Sequence, residues 1–136
     1  MIEGFGHENI QATHPSTVEF TKDTHLSKNG DCILVVSANK GLADFQQKFK
    51  ETLRKPNAQL TIRIQVGSII EEIHAKGSPH LDLCHEKEMV VRKSEYVSER
   101  TLGILADKAA NDLSRGLVEA LKNPKKRATI TLTVQG

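Results

Sequence analysis

The chain has 136 residues, 26% of them charged, and a formal net charge of +2. That length suits one domain with a real core, and so even a charge balance gives no bulk electrostatic case for nucleic acid or an anionic membrane. No stretch approaches the roughly 20 apolar residues of a membrane span, MIEGFGHENI has no apolar signal core, and Cys32 and Cys84 form neither a CxxC pair nor a disulfide scaffold, so a soluble cytoplasmic protein is expected.

Along the chain, Ile10 and Ala12 set an apolar parity that reads as a strand running into His14. Val18, Phe20 and Lys22 share the face of a second strand. Asn29-Gly30-Asp31 is a turn signal, and an apolar strand follows it until Asn39. From there a helix is predicted, with Leu42, Phe45, Phe49 and Leu53 on one face and Pro56 beyond its end. QLTIRIQV alternates strictly, so one face is buried and one wet, and Gly67-Ser68 reads as a two-residue hairpin turn into IIEEIHAK. Leu81 and Leu83 then lead into His85, and Met89, Val91 and Lys93 share a strand face. GILADKAANDL opens a second helix, with Ala110, Leu113, Leu117 and Leu121 on one face and Pro124 beyond. RATITLTV closes the chain as another alternating strand.

This pattern is one half written twice. Residues 2–27 lie over 73–98, and 32–66 over 100–134, the first copy carrying three extra residues within KNGDC. Ile2, Gly6, His14, Lys22, Lys40, Asp44 and Leu53 then meet Ile73, Gly77, His85, Lys93, Lys108, Asp112 and Leu121. Each copy reads strand, strand, strand, helix, strand, and half a chain is too small to bury both its faces. The expectation is a single α+β domain over 1–136, with repeats of about 1–67 and 72–136 related by a pseudo-two-fold axis. Many strands and only two amphipathic helices favour a mainly antiparallel, closed or nearly closed β-barrel, since closure removes strand edges. An open sheet with both helices on one face is the alternative.

ATH at 12–14, FTKDTHLSKNGDCILVVSANKG at 20–41 and VVRKSEYVSERTLGILADKAANDL at 90–113 resemble an archaeal family of uncharacterised proteins, a domain of unknown function. The likeness covers nearly the whole chain. It implies an archaeal cytoplasmic protein with a barrel-like fold, and no activity. Gly6-His7-Glu8 departs from the family's Gly-His-Pro, and Ala38-Asn39-Lys40-Gly41 from its Ala-Asp-Lys-Gly.

Candidate chemistry follows the duplication. Asn39 and Asp107 read as N-caps, followed by Lys40 and Lys108 where a helix start disfavours a cation. Backbone amides plus a lysine suit a phosphate or carboxylate, and Lys22, Lys93 and Arg100 add positive charge that would converge if the halves face each other. The bland account is a screened lysine neutralised by Asp44 or Asp112. His14 and His85 are the histidines that align, and they offer acid–base chemistry or simple turn capping. A metal would need help from His7, His80 or Cys84 at spacings that are not diagnostic, so no metal ligands are assigned and the cofactor is unknown. Asp31 lies where the copies diverge and is the preferred candidate for a symmetry-breaking chemical role. The leading partner is an anionic small molecule. RNA is the alternative, through KNPKKR at 122–127, although aromatics are only 4%. The sequence names no reaction and no oligomeric state.

Overall fold

The computed structural model describes residues 1–27 and 30–136. Its elements are β1 (Ile2–Phe5), β2 (Thr17–Thr21), β3 (Ile33–Val35), α1 (Gln47–Leu53), β4 (Gln59–Val66), β5 (Ile69–Lys76), β6 (Glu88–Arg92), β7 (Thr101–Gly103), α2 (Arg115–Leu121) and β8 (Arg127–Gln135). Strand, strand, strand, helix, strand thus occurs twice. A 3-10 turn precedes each helix, at Leu42–Asp44 and Ala110–Asp112.

The strands form two four-stranded sheets, β1-β8-β4-β5 and β3-β2-β6-β7. The first is antiparallel throughout. In the second, β2 and β6 are antiparallel, while β3 and β7 join parallel through irregular registers. The β4–β8 register sets Arg63 opposite Thr131, and the β2–β6 register sets Glu19 opposite Val90. Each of these pairs joins matched positions of the two copies, so one pseudo-two-fold axis passes through the middle of both sheets.

The α+β class and the two helices are as expected, but the barrel is not. No sheet closes. The sheets touch at two isolated bridges, Phe5↔Val36 and Lys76↔Ile104, and neither grows into a ladder. The reason is local. The next residues, Ser37 and Leu105, take left-handed φ values of 53° and 52°, which turn the chain away from the neighbouring edge. The strand expected at Ile10–Ala12, with its counterpart at Leu81–Leu83, is also absent. Those four side chains are buried, yet Ala12 and Leu83 have positive φ and the segments are irregular.

The alternation in QLTIRIQV is realised: Leu60, Ile62, Ile64 and Val66 are buried. Gly67, at φ 61°, makes the two-residue turn that pairs Val66 with Ile69. The core lies between the sheets and is completed by Leu53 of α1 and Leu117, Val118 and Leu121 of α2. Fully burying a leucine such as Leu53 contributes roughly 2 kcal/mol. Both helices stop before Pro56 and Pro124. Their last carbonyls are met by the other half of the chain: His7 N–H donates to Leu121 O at 2.8 Å and Ser78 N–H to Leu53 O at 3.1 Å. Among the described residues, no helix is long and apolar enough to cross a membrane.

Candidate functional site

The helices begin later than the capping pattern predicts. Phe45 and Gln46 are extended (ψ 147° and 145°), as are Leu113 and Ser114 (ψ 149° and 141°), so the α-helices start at Gln47 and Arg115. Asn39 and Asp107 therefore do not cap them. Asn39 Oδ1 accepts from Glu3 N–H at 3.0 Å while its own N–H donates to Glu3 O at 2.8 Å. Asp107 grips His74 in the same way, at 2.9 Å for both bonds. A short polar side chain here imitates one more residue of strand pairing along β1 and β5. Asn39→Ala is expected to cost about 1 kcal/mol of stability in urea unfolding, with Asn39→Asp close to neutral.

The carboxylates that cap the 3-10 turns are Asp44 and Asp112. Asp44 Oδ2 accepts from Gly41 N–H at 2.8 Å and meets Lys22 Nζ at 2.9 Å. Asp112 Oδ2 accepts from Ala109 N–H at 2.9 Å and meets Lys93 Nζ at 2.6 Å. The Gly41 amide, with Lys22, holds Asp44 below its usual pKa, and Lys93, with the Ala109 amide, does the same for Asp112. Lys22 and Lys93 thus each neutralise their own turn. They lie just past opposite ends of the antiparallel β2–β6 ladder, roughly 20 Å apart at strand rise. The structure does not bring them together.

Lys40 and Lys108 differ from each other, and the difference is informative. Lys108 Nζ lies 3.5 Å from Glu71 Oε2. The same carboxylate accepts from Ser114 N–H, at 2.9 Å to Oε1 and 3.2 Å to Oε2. A lysine and a backbone amide therefore hold an anionic group supplied by β5. The matching residues of the first copy are Lys40 and Gln46. They line a cleft of about 240 Å³ with Met1, Ile2, Asp44, Phe45, Phe49 and Leu132. Phe45 and Phe49 meet edge to face there, with ring centroids 5.4 Å apart. Glu71 stands two residues before Ile73.

A second cluster lies at the two-fold axis on the other sheet. Glu19 of β2 is only 4% exposed. Its Oε1 is 3.7 Å from Arg100 Nη1 and 3.8 Å from Cys32 Sγ. Arg100 Nη1 also reaches Glu88 Oε1 at 3.2 Å, and Glu88 Oε2 lies 3.5 Å from His85 Nε2. Burial, then a hydrogen bond and charge repulsion from Glu88, push the Glu19 carboxyl up to about 7 against the pull of Arg100. Burial and the Glu19 charge push Cys32 up to about 11, so it stays a protonated thiol rather than a nucleophilic thiolate. This group can take up or release a proton near neutral pH. Arg100 belongs here and not with the lysines.

The aligned histidines cap turns. His14 Nδ1 accepts from Ser16 N–H and Thr17 N–H, both at 3.2 Å, and His85 Nδ1 from Lys87 N–H at 3.1 Å and Glu88 N–H at 2.9 Å. An accepting Nδ1 leaves the ring hydrogen on Nε2, which in His85 points at Glu88. Beside His85, Cys84 and Arg54 line a wider cleft of about 770 Å³ with both acidic and basic walls. Asp31 contributes its backbone carbonyl, which accepts from Thr13 N–H at 2.9 Å and His14 N–H at 3.3 Å. Asn29, next in the same turn signal, lies outside the described residues. His14, Asp31 and Cys32 are thus neighbours on one side of the cluster, and His85 with Arg100 on the other. Cys32 and Cys84 are free thiols. Among the described residues, no three His, Cys, Asp or Glu side chains gather as a metal set. Within KNPKKR, Lys122 pairs with Glu119 at 3.2 Å, and Arg127 pairs with Glu3 at 3.6 Å and lies over the Phe5 ring.

Sequence reasoning missed Glu19, Glu88 and Glu71. Glu19 did carry a signal: a carboxylate in the middle of the short apolar strand VEF, matched in the second copy by Val90. Glu71 carried none.

Residues 2–135 match a family described as a domain of unknown function, DUF371. The uncharacterized protein MJ0206 of Methanocaldococcus jannaschii is 41% identical over 125 residues, spanning 92% of this chain and 92% of that one. Neither description names a ligand, a reaction or a partner, and both agree with the resemblance carried by the ATH, VVSANKG and ILADKAANDL segments. The chain belongs to the DUF371 family of uncharacterised archaeal proteins.

Proposed function

We propose that the protein binds a carboxylate- or phosphate-bearing ligand in the cleft at Lys40. One observation carries this reading. The second copy holds the Glu71 carboxylate between Lys108 Nζ and Ser114 N–H, while in the first copy Lys40 and Gln46 line an open cleft. The chain itself thus supplies an example of the anion that this arrangement of groups accepts. Gln46 N–H and Lys40 provide a donor and a charge, and Phe45, Phe49 and Leu132 provide an apolar wall for the rest of the ligand. Asp44 borders the cleft, but its Oδ2 is engaged by Gly41 N–H and Lys22. In this cleft the anion meets Lys40 alone, not a convergence of all four lysines. No observation favours the RNA alternative, since two cations of the basic segment are engaged by Glu119 and Glu3.

Titration of labelled protein with inorganic phosphate and with acetate is expected to shift the Gln46 amide resonance. Lys40→Ala should weaken that response about ten-fold, and Lys108→Ala should leave it unchanged. A response indifferent to Lys40→Ala would refute the assignment.

A further inference from the structure

The cleft at Lys40 continues along an edge of β8 that no described residue covers. β5 runs from Ile69 to Lys76, while β1, its counterpart, runs only from Ile2 to Phe5 and matches its last four residues. The first half of β5 pairs with β4, from Arg63↔Glu72 to Val66↔Ile69. β8 is the counterpart of β4, but β1 stops at Ile2↔Ile130. From Thr131 to Gln135, β8 is hydrogen-bonded only to β4, and among the described residues its other edge is bare.

The side chains beside that edge record the same gap. Ile64 and Val66 of β4 are 0% and 2% exposed, whereas their counterparts Leu132 and Val134 are only partly buried. Leu113 and Leu117 are buried, whereas their counterparts Phe45 and Phe49 are only partly so. A bare strand edge, an apolar strip, one lysine and one amide donor lie together. In the second copy, the same four features are all covered by residues 69–72 of β5.

We infer that this edge takes an extended acidic segment of a partner polypeptide, added antiparallel to β8 as the first half of β5 is added to β4. The inference rests on the carboxylate reading of the Lys40 cleft and names what carries the carboxylate. The register fixes the chemistry. Ile64 pairs with Glu71 and Val66 with Ile69, so the partner sets a Glu or Asp beside Leu132, facing Lys40 and Gln46, and an apolar residue two positions earlier beside Val134. Main-chain bonds to Thr131–Gln135 supply affinity, and the carboxylate selects the sequence. The basic side chain at Lys40 suits an acidic guest, as Lys108 suits Glu71.

The test uses the whole chain and a blocked peptide, acetyl-Ser-Ile-Ile-Glu-amide, which copies residues 68–71 and leaves one carboxylate. The expected result is shifts of the Thr131–Gln135 and Gln46 amides with Kd on the order of 1 mM, as a four-residue strand allows. Gln in place of the peptide's Glu should weaken binding about ten-fold, as should Lys40→Ala in the protein, while Lys108→Ala should not. If phosphate and acetate shift Gln46 but the peptide leaves Thr131–Gln135 unmoved, strand addition is wrong and the anion site stands. If none of the probes acts, both readings fall. If those β8 amides shift with protein concentration alone, the edge belongs to a second copy of this chain and the partner inference is overturned.

Discussion

Gly77→Ala and Gly6→Ala are each expected to lower the unfolding free energy by about 2–3 kcal/mol, among the larger effects of a single methyl group in this protein. A Cβ at Gly77 would collide with the carbonyl oxygen of Leu53 and lie 2.9 Å from its carbon and 3.0 Å from Ala58 Cβ. One at Gly6 would collide with the carbonyl oxygen of Leu121 and lie 2.6 Å from Asn123 O. The obstacle is backbone in both cases, so no rotamer change relieves it. Moving that backbone would also loosen the bonds from Ser78 and His7 that finish α1 and α2. Gly116 is the control: nothing lies within 4 Å of a Cβ there, so Gly116→Ala in α2 should be stabilising by up to about 1 kcal/mol. Urea midpoints of the three variants check this. Unchanged midpoints for Gly6→Ala and Gly77→Ala would show that the helix ends yield easily.

Stability should also fall as pH rises from 5 to 8, and Glu19 is the cause. Its carboxyl is raised from 4.5 to about 7 in the folded protein, by burial first and by Glu88 second. A folded-state pKa above the unfolded one means that the folded chain holds the proton more tightly. The stabilisation is complete below about 4.5 and is lost as pH climbs to about 7, a difference on the order of 3 kcal/mol. Glu19→Gln keeps the shape and removes the titration. It should flatten the slope between pH 5 and 8 and make the protein more stable than wild type at pH 8. The lowered Asp44 and Asp112 carboxyls act with the opposite sign, lending stability that is lost only as pH falls below the usual carboxylate range, outside this window. Parallel pH profiles for wild type and Glu19→Gln would assign the slope to other groups.

What could be read from the sequence was whatever lay in local periodicity. QLTIRIQV and RATITLTV announced strands because their alternation survives in the burial of Ile62 and Ile130. Pro56 and Pro124 marked the helix ends for a steric reason that needs no tertiary context. The helix starts lie elsewhere than the capping pattern predicts because Asn39 and Asp107 have the chemistry of caps, and the same chemistry serves equally to extend a strand edge. The barrel failed on two residues: nothing in Ser37 or Leu105 advertises a left-handed φ, which neighbouring packing imposes. The environment of Glu19 was illegible for a different reason. Glu88, Arg100 and Cys32 reach it only through the β2–β6 pairing and its flanking strands, contacts far apart in sequence.

Each half completes the other's helix, and each first strand lies against the other's last. Neither half could therefore have stood alone in this form: a one-copy ancestor with these contacts would have been an intertwined homodimer. Opening the peptide bond between Gly67 and Ser68 should then give two fragments that are each largely unstructured and that reassociate into the native arrangement when mixed, with a midpoint that depends on concentration.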